Sequence, residues 1–266
     1  MSQAAIRLDG QVALVTGGAG ILGREFCRAL IGAGARVAVV DLMQDAAIAT
    51  ADEFGEAAAG FGCDVSDPAS VAAAVEAVMA RFGRIDVLVN NAATKTGDVR
   101  AFFEPFETYS LETWREVMSV NIDGMFLMAQ AVGREMLKAG SGRIIQTASI
   151  YGLVGPDARI YDGSDYLGGP INTPAVYSAS KAAVVGLTRW LATHWADKGI
   201  RVNCLVPGGV SSGQNGVFDQ KYSARTPMGR MARAGEMAPP LLFLASDASS
   251  YVTGQVLAVD GGWTAW

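Results

Sequence analysis

The chain alternates short apolar runs with longer stretches in which apolar residues recur every three or four positions. The first apolar run, residues 12–15, is typical of a strand that is buried on both faces of a sheet. A helical stretch follows at about 21–33, and a second apolar run at 37–40 ends on an acidic residue. This pattern predicts a β-α-β unit at the start of the chain.

The same alternation continues to the end of the chain. We expect further strands at 58–61, 85–89, 143–146, 201–206 and 255–259, and helices at 68–82, 111–138 and 175–196. Because parallel strands need long crossover connections, this order predicts a doubly wound α/β fold, with a parallel sheet of about seven strands and helices on both faces. Such a fold is a three-layer sandwich. The 266 residues contain no composition break or linker, so we expect a single domain over 1–266.

Composition excludes several function classes. A net charge of −5 without a basic cluster argues against nucleic acid as a partner. No apolar stretch reaches the roughly 18 residues of a membrane span, and residues 1–10 lack the features of a secretory signal. We therefore expect a cytoplasmic protein with no membrane partner. The three cysteines and the single histidine, His194, have no metal-binding spacing, so no metal is expected.

A glycine-rich turn joins the first predicted strand to the first helix. Residues 16–23 contain four glycines, and Asp41 ends the second strand. Glycines let the backbone approach a pyrophosphate, and the amides that begin a helix face its charge. An acid about twenty residues further on can bind the adenosine ribose hydroxyls. Strand, turn, helix, strand and acid in this order predict a Rossmann-type dinucleotide site.

Small and polar residues also follow four later strands. They are Asp64 and Val65, the segment Asn90 to Ala93, Ser149, and the segment Pro207 to Val210. Ligands bind outside the carboxyl ends of parallel strands, so we expect these residues to border one site. Turn formation alone also favours such residues, but four sets on one edge of a sheet indicate a binding site.

Tyr177 and Lys181 lie one helical turn apart on the same face of the predicted helix 175–196. A phenol titrates at about pH 10, and a fixed positive charge beside it lowers that pKa towards the range in which acid–base catalysis is efficient. An isolated pair at this spacing is more often two solvated neighbours. Its position after a dinucleotide motif instead indicates proton transfer beside a cofactor.

Together these motifs resemble the short-chain dehydrogenase/reductase family in its single-domain form, over nearly the whole chain from Gly10 to Gly262. The resemblance implies an enzyme that uses NAD to transfer hydride to or from a secondary alcohol or ketone. It assigns catalysis to Asn121, Ser149, Tyr177 and Lys181, with Tyr177 as the acid/base. The implied cofactor contacts are Gly17, Gly20, Ile21, Leu22, Gly23, Asp41, Asp64, Val65, Asn91, Ala92, Tyr177, Lys181, Pro207, Gly208 and Val210.

The chain departs from the family pattern in three places. Ile21 stands where the single-domain type usually has glycine, a spacing more like that of the longer epimerase and dehydratase relatives. Ala93 replaces a frequent glycine. The connection from Ser149 to Tyr177 is longer than usual by roughly fifteen residues, and long loops beside a site are often functional. We call residues 155–173 of this connection the insertion.

The insertion is charged, aromatic and interrupted by glycines, which also suits a solvated surface loop. Tyrosine rings stack on sugars, and Asp and Arg bind hydroxyls or phosphates, so we expect it to cover a polyol, a sugar or a sugar derivative. The candidate substrate contacts are Tyr151, Arg159, Tyr161 and Gly209. The insertion also resembles that of oxidoreductases in bacterial surface-sugar pathways.

Two other functions remain open from the sequence. A sugar-nucleotide epimerase or dehydratase suits the glycine spacing, but those relatives carry a sizeable substrate domain after the last sheet strand. A catalytically silent NAD-binding protein is the other alternative, and the presence of all four catalytic residues argues against it.

The family resemblance also implies a homo-oligomer, a tetramer or a dimer. The helical regions 111–138 and 175–196 resemble those that pair across the family's main dimer interface. We further expect an oligomer to cover the apolar tail with Trp263 and Trp266, which would otherwise be exposed.

Overall fold

The computed structural model describes residues 6–166 and 168–266. Its strands are β1 (Val12–Thr16), β2 (Arg36–Asp41), β3 (Ala58–Gly62), β4 (Val87–Asn90), β5 (Gly142–Thr147), β6 (Asp165–Tyr166), β7 (Gly169–Pro170), β8 (Ile200–Pro207) and β9 (Val256–Val259). Seven of them form a parallel sheet in the order β3-β2-β1-β4-β5-β8-β9, and β6 pairs with β7 in a separate antiparallel hairpin.

Helices cover both faces of the sheet. They are α1 (Ile21–Gly32), α2 (Gln44–Asp52), α3 (Pro68–Phe82), α4 (Val99–Phe102), α5 (Leu111–Met118), α6 (Gly124–Ala139), α7 (Ala175–Trp195), α8 (Gly216–Arg225) and α9 (Ala238–Ala245). α3, α6 and α7 pack on one face, and α1, α2 and α9 pack on the other. The predicted doubly wound α/β fold is confirmed.

The apolar runs of the central strands follow from burial on both faces. Leu14 contributes to the core under α3 and α6, whereas its neighbour Val15 contributes to the core under α1 and α9. Both side chains are fully buried. Removing a side chain of this size from water stabilises the fold by about 1.5–3 kcal/mol, so both positions favour apolar residues.

The bounds of α3 were predictable because both of its ends carry local signals. The Asp67 side chain accepts hydrogen bonds from the amides of Ala69 and Ser70, and Pro68 occupies the first turn. Gly83 ends the helix with a φ of 77°, in the left-handed region that glycine adopts without strain.

Several elements differ from the sequence prediction. The helix expected over 111–138 is interrupted at Ser119–Asp123 by a π-helical turn, in which one extra residue is accommodated between α5 and α6. α2, α4, α8 and α9 were not predicted. Proline usually stops a helix, but Pro239 and Pro240 occupy the first turn of α9. Amide hydrogens in the first turn have no partner within the helix, so their absence in proline costs no helical hydrogen bond.

One expectation about the C-terminal tail was wrong. Trp263 needs no partner subunit to cover it, because it is 2% exposed and stacks on Tyr222 with ring centroids 4.3 Å apart. Trp266 is exposed. Among the helices of the described residues, none combines the length and the apolar character that crossing a bilayer requires.

Candidate active site

The glycine turn between β1 and α1 has no room for side chains at two of its positions. Gly17 has a φ of 61°, and a Cβ on Gly23 would overlap the Gly17 carbonyl oxygen. Gly20 precedes α1 without a side chain to cap it, so the amides of the first helical turn remain available to an anion. Ile21 begins α1 with its side chain 57% exposed, which explains why a branched residue is tolerated there.

Thr16 was not recognised from the sequence, and it fixes the wall of this turn. Its hydroxyl accepts hydrogen bonds from the amides of Asn91 at 2.9 Å and Ala92 at 3.0 Å. The Asn91 side-chain amide donates back to the Thr16 carbonyl at 3.2 Å. These bonds join the ends of β1 and β4, and a Cβ on Gly17 would lie 3.0 Å from the Ala92 Cα. Gly17 and Ala92 must therefore both be small for the two strand ends to approach this closely.

Asp41 ends β2 with its carboxylate beside the glycine turn. One oxygen accepts the amide of Ala19 at 3.1 Å, and the other lies 3.4 Å from the amide of Met43. The side chains of Leu42 and Met43 are exposed and uncharged. An acid without an adjacent cation is the arrangement that binds ribose hydroxyls and repels a 2′-phosphate.

Arg24 is the nearest cation to the turn in sequence, and its charge is already paired. One guanidinium nitrogen lies 2.7 Å from the Glu53 carboxylate, and Nε donates to the Ala19 carbonyl at 2.9 Å. Arg24 therefore reinforces the turn while Glu53 offsets its attraction for a phosphate.

Asp64 and Val65, expected among the cofactor contacts, both have local structural contacts. The Asp64 carboxylate accepts from the amide and the hydroxyl of Ser66, at 2.9 and 2.6 Å. Val65 is buried, and a Cβ on Gly124 would lie 2.7 Å from its side chain. The Asp64 side chain thus closes its own turn, and Val65 packs against the start of α6.

Tyr177 and Lys181 lie on successive turns at the start of α7. The amide of Tyr177 donates to the Pro174 carbonyl at 3.0 Å, which fixes the first turn. Lys181 is only 3% exposed, and its Nζ donates to the Thr147 carbonyl at the end of β5 at 3.0 Å. The Nζ lies 5.9 Å from the centroid of the Tyr177 ring, so helix geometry and strand end together place the ammonium beside the phenol.

Ser149 follows β5 in an extended conformation and is 7% exposed. Its Oγ accepts the amide of Tyr151 at 3.3 Å. Burial raises the pKa of Tyr177, and a hydrogen bond with Ser149 partly offsets that effect. The structure therefore brings Ser149, Tyr177 and Lys181 together at one edge of the sheet, which we call the catalytic edge.

The expectation of a lowered pKa for Tyr177 was wrong, because burial outweighs any effect of the Lys181 charge. Burial lowers the pKa of Lys181 to about 8, and the pKa of Tyr177 is raised. Both shifts have the same cause, since burial disfavours the charged form of each group. Lys181 also donates a hydrogen bond from its Nζ to the Thr147 carbonyl.

Asn121 lies in the π-helical turn and is fully buried. Its Oδ1 accepts the amide of Thr94 at 2.9 Å, and its Nδ2 donates to the Ser180 hydroxyl at 3.3 Å. The side chain thus ties the loop after β4 to α7, next to Lys181. π-helical turns recur at functional sites because they redirect one residue out of the helical register.

The segment after β8 is shaped by its two glycines. A Cβ on Gly208 would lie 2.7 Å from the Asp260 Cα, so this residue must be glycine for the strand ends to meet. Val210 forms an isolated parallel bridge with Ala232. Gly209 donates its amide to the Tyr222 hydroxyl. The backbone of the segment Pro207 to Val210 therefore borders the site, and Tyr222 and Ala232 hold the segment in place.

Two of the expected substrate contacts, Tyr151 before the insertion and Tyr161 within it, lie at the catalytic edge. The hydroxyl of Tyr161 donates to the hydroxyl of Tyr151 at 3.3 Å and is hydrogen-bonded to Thr173, just before α7. Arg159 is placed elsewhere: its guanidinium pairs with Asp157 at 2.7 Å and is 83% exposed. The structure brings Tyr151 and Tyr161 together and leaves Arg159 in solvent.

Side chains from two helices hold the backbone of the insertion. Lys221 of α8 donates a hydrogen bond to the Asp162 carbonyl at 2.6 Å. Asn215, which directly precedes α8, donates one to the Asp165 carbonyl. Arg100 of α4 donates to the Pro170 carbonyl at 3.3 Å. The insertion is therefore anchored over the catalytic edge.

The cysteines and the histidine form no metal site among the described residues. Cys27, Cys63 and Cys204 are buried and unpaired, and His194 stacks on Trp190 with ring centroids 4.6 Å apart. Within residues 6–166 and 168–266, no three His, Cys, Asp or Glu side chains are grouped so that they could hold a metal ion.

The chain is similar to known proteins in sequence and structure. A family model described as enoyl-(acyl carrier protein) reductase matches residues 17–264. D-threitol dehydrogenase of Mycolicibacterium smegmatis is 41% identical, and the alignment covers 97% of this chain and 94% of that protein.

Two solved structures are similar over almost their whole length. A gluconate 5-dehydrogenase from Burkholderia cenocepacia, in complex with NADP and tartrate, is 36% identical with a TM-score of 0.85, covering 98% of each chain. An NAD+-bound xylitol dehydrogenase is 30% identical with a TM-score of 0.84, covering 96% of this chain and 99% of that chain. The chain therefore belongs to the short-chain dehydrogenase/reductase family of oxidoreductases.

Proposed function

We propose that this protein is an NAD-dependent dehydrogenase that oxidises a secondary alcohol of a polyol, a sugar or a sugar derivative, and reduces the corresponding ketone in reverse. The observation that carries the proposal is the convergence of Ser149, Tyr177 and Lys181 on the edge that also holds the glycine turn. The similar proteins named for threitol, xylitol and gluconate support the substrate class.

The residues present fit a nicotinamide dinucleotide. The close backbone packing at Gly17 and Gly23 keeps side chains out of the turn, so they do not screen the first amides of α1. Asp41 supplies an acceptor for ribose hydroxyls at the end of β2. Pro207 to Val210 would receive the nicotinamide end at the opposite side of the sheet edge. When bound, NAD supplies the acceptor for hydride.

The chain itself supplies proton transfer and orientation. In oxidation the carbinol C–H would leave as hydride, and the hydroxyl proton would pass to Tyr177 in its phenolate form, whose own proton is first lost to water. In ketone reduction the neutral phenol of Tyr177 returns that proton while Ser149 donates a hydrogen bond to the same oxygen. The Lys181 ammonium, buried beside the phenol, stabilises the negative charge that develops there.

Exchanging the acid at the end of β2 should change the cofactor preference. We expect the unmodified protein to favour NAD over NADP in kcat/KM, because Asp41 has no adjacent cation and Glu53 offsets Arg24. Asp41→Ser should shift the ratio towards NADP by about tenfold or more, since it removes an uncompensated charge beside the 2′ position. Steady-state rates with both cofactors measure the ratio.

Asp45→Ser is the matched control, because Asp45 is an exposed acid in the first turn of α2 and should leave the ratio unchanged. Equal or better efficiency with NADP before any substitution would contradict the assignment of Asp41.

The insertion should act on the substrate through Tyr161. We expect Tyr161→Phe to raise the KM for polyol roughly two- to tenfold, the usual range for one hydrogen bond, and to leave the KM for NAD unchanged. Arg159→Ala, on the same turn but exposed, should alter neither constant. The same KM for polyol in both variants would show that the insertion is a passive surface loop.

We also propose a cytoplasmic homo-oligomer, a tetramer or a dimer. The two long helices expected at its interface expose large apolar side chains, Phe126 at 47% on α6 and Trp190 at 59% on α7. The molar mass from light scattering at micromolar protein concentration tests this proposal, and a monomer mass contradicts it.

A further inference from the structure

α8 carries aromatic side chains that connect the insertion to the C-terminal tail. Phe218 stacks on Tyr161 with centroids 5.6 Å apart and planes at 22°. Phe218 and Tyr222 lie 5.7 Å apart, and Tyr222 stacks on Trp263. We call these four residues the aromatic column. Its contacts are continuous from the substrate side of the molecule to the buried tail.

Tyr222 is the member of the column that reaches the backbone beside the cofactor edge. Its hydroxyl accepts the amide of Gly209, and its ring fills the space that a Cβ at position 209 would occupy. The side chain is 3% exposed, and burial raises its pKa, so the phenol stays neutral. Gly209 directly precedes Val210, so Tyr222 controls the backbone at the proposed nicotinamide end.

Polar contacts hold α8 to the insertion along the same path. Lys221 donates to the carbonyls of Arg159 at 3.2 Å and Asp162 at 2.6 Å. Asp157 lies 3.5 Å from the Arg225 guanidinium, which sits 5.2 Å over the ring of Trp263. A displacement of the insertion therefore moves α8, and a displacement of α8 acts on Gly209.

We propose that Tyr222 is a positioning residue that couples the substrate-covering insertion to the nicotinamide segment 207–210. The inference rests on the proposed function for the identity of both ligands. Substrate under the insertion fixes α8, and Tyr222 then fixes Gly209 and Val210. Coupling between two sites is reciprocal, so a bound polyol must tighten NADH binding to the same degree that NADH tightens polyol binding.

The first test needs no substrate. Tyr222→Phe keeps the ring in the aromatic column and removes the acceptor of the Gly209 amide. Hydrogen–deuterium exchange should accelerate roughly tenfold at Gly209, the upper range for one lost hydrogen bond, and stay unchanged in α1. An unchanged Gly209 exchange rate overturns the proposal.

The second test measures the coupling itself. NADH fluorescence titrations, with and without whichever of D-threitol, xylitol or gluconate the protein oxidises fastest, give the factor by which the second ligand tightens NADH binding. We expect a several-fold factor, lost in Tyr222→Phe and retained in Tyr166→Phe, a control in the exposed hairpin of the insertion. A factor of one in the unmodified protein, or an unchanged factor in Tyr222→Phe, overturns the inference. Absence of any oxidation overturns the proposed function instead, and the exchange experiment still tests Tyr222.

Discussion

Tyr177→Phe is expected to reduce kcat at least a hundredfold, because general acid–base groups typically contribute factors of 10² to 10⁴. The substitution removes the only atom through which the side chain can exchange a proton. It keeps the ring, which packs with Phe102, Val117 and Val176. The dissociation constant of NADH should therefore change by less than about threefold, a difference below 1 kcal/mol. Steady-state kinetics and NADH titration measure the two effects.

Tyr109→Phe is the matched control for this prediction. Tyr109 packs in the same apolar cluster, and its hydroxyl is buried without a hydrogen-bond partner among the described residues. Its removal should leave kcat unchanged. More than about a hundredth of the original kcat in Tyr177→Phe would refute the assignment of the acid/base.

Lys181→Met is expected to abolish turnover and to stabilise the fold at neutral pH. Burial lowers the pKa of Lys181 to about 8, below that of an exposed lysine. Below pH 8 both the folded and the unfolded lysine are charged, and the folded state bears the full penalty of burying that charge. The net penalty, with the hydrogen bond to Thr147 already included, is about 3 kcal/mol.

The sign of the pH dependence distinguishes this penalty from a packing effect. Between pH 8 and about 10.5 the unfolded chain binds more protons at this lysine, so the stability of the unmodified protein rises with pH relative to Lys181→Met. The variant should have a Tm several degrees higher at pH 7, and the difference should shrink towards pH 10. If Lys181→Met were less stable than the unmodified protein by the same margin at pH 7 and at pH 10, this result would contradict the burial of a charged Lys181.

The sheet could be predicted from the sequence because its central strands are buried on both faces. Leu14 and Val15 belong to different cores, so both positions favour apolar residues and the apolar run is continuous. The π-helical turn at Ser119–Asp123 could not be predicted, because one extra residue leaves the apolar periodicity on either side almost unchanged. α9 was missed because the prolines that begin it are breakers anywhere but the first turn.

The site was partly predictable for a related reason. Local motifs located the glycine turn, Asp41, and the pair Tyr177 and Lys181, since helix and turn geometry fix their spacing. Thr16 carried a usable signal, a hydroxyl at the strand end directly before the glycine turn. Tyr222 carried none, because its contact with Gly209 exists only after α8 folds back over the segment.

The tuning of Tyr177 was misjudged because helical spacing gives the distance to Lys181 and says nothing about burial or about what else binds the ammonium. The Thr147 carbonyl, from a strand far away in sequence, determines where Nζ points. Arg159 lies in solvent for a similar reason, since Asp157 two residues before it pairs with the guanidinium.

The rate of NADH formation from D-threitol, xylitol and gluconate, measured with the unmodified protein and with Tyr177→Phe, tests the central claim most directly. The account predicts that NAD supports oxidation of at least one of these substrates at a higher kcat/KM than NADP, and that Tyr177→Phe removes it. No NADH formation from any of them by folded protein that binds NADH, or an undiminished rate in Tyr177→Phe, would contradict it.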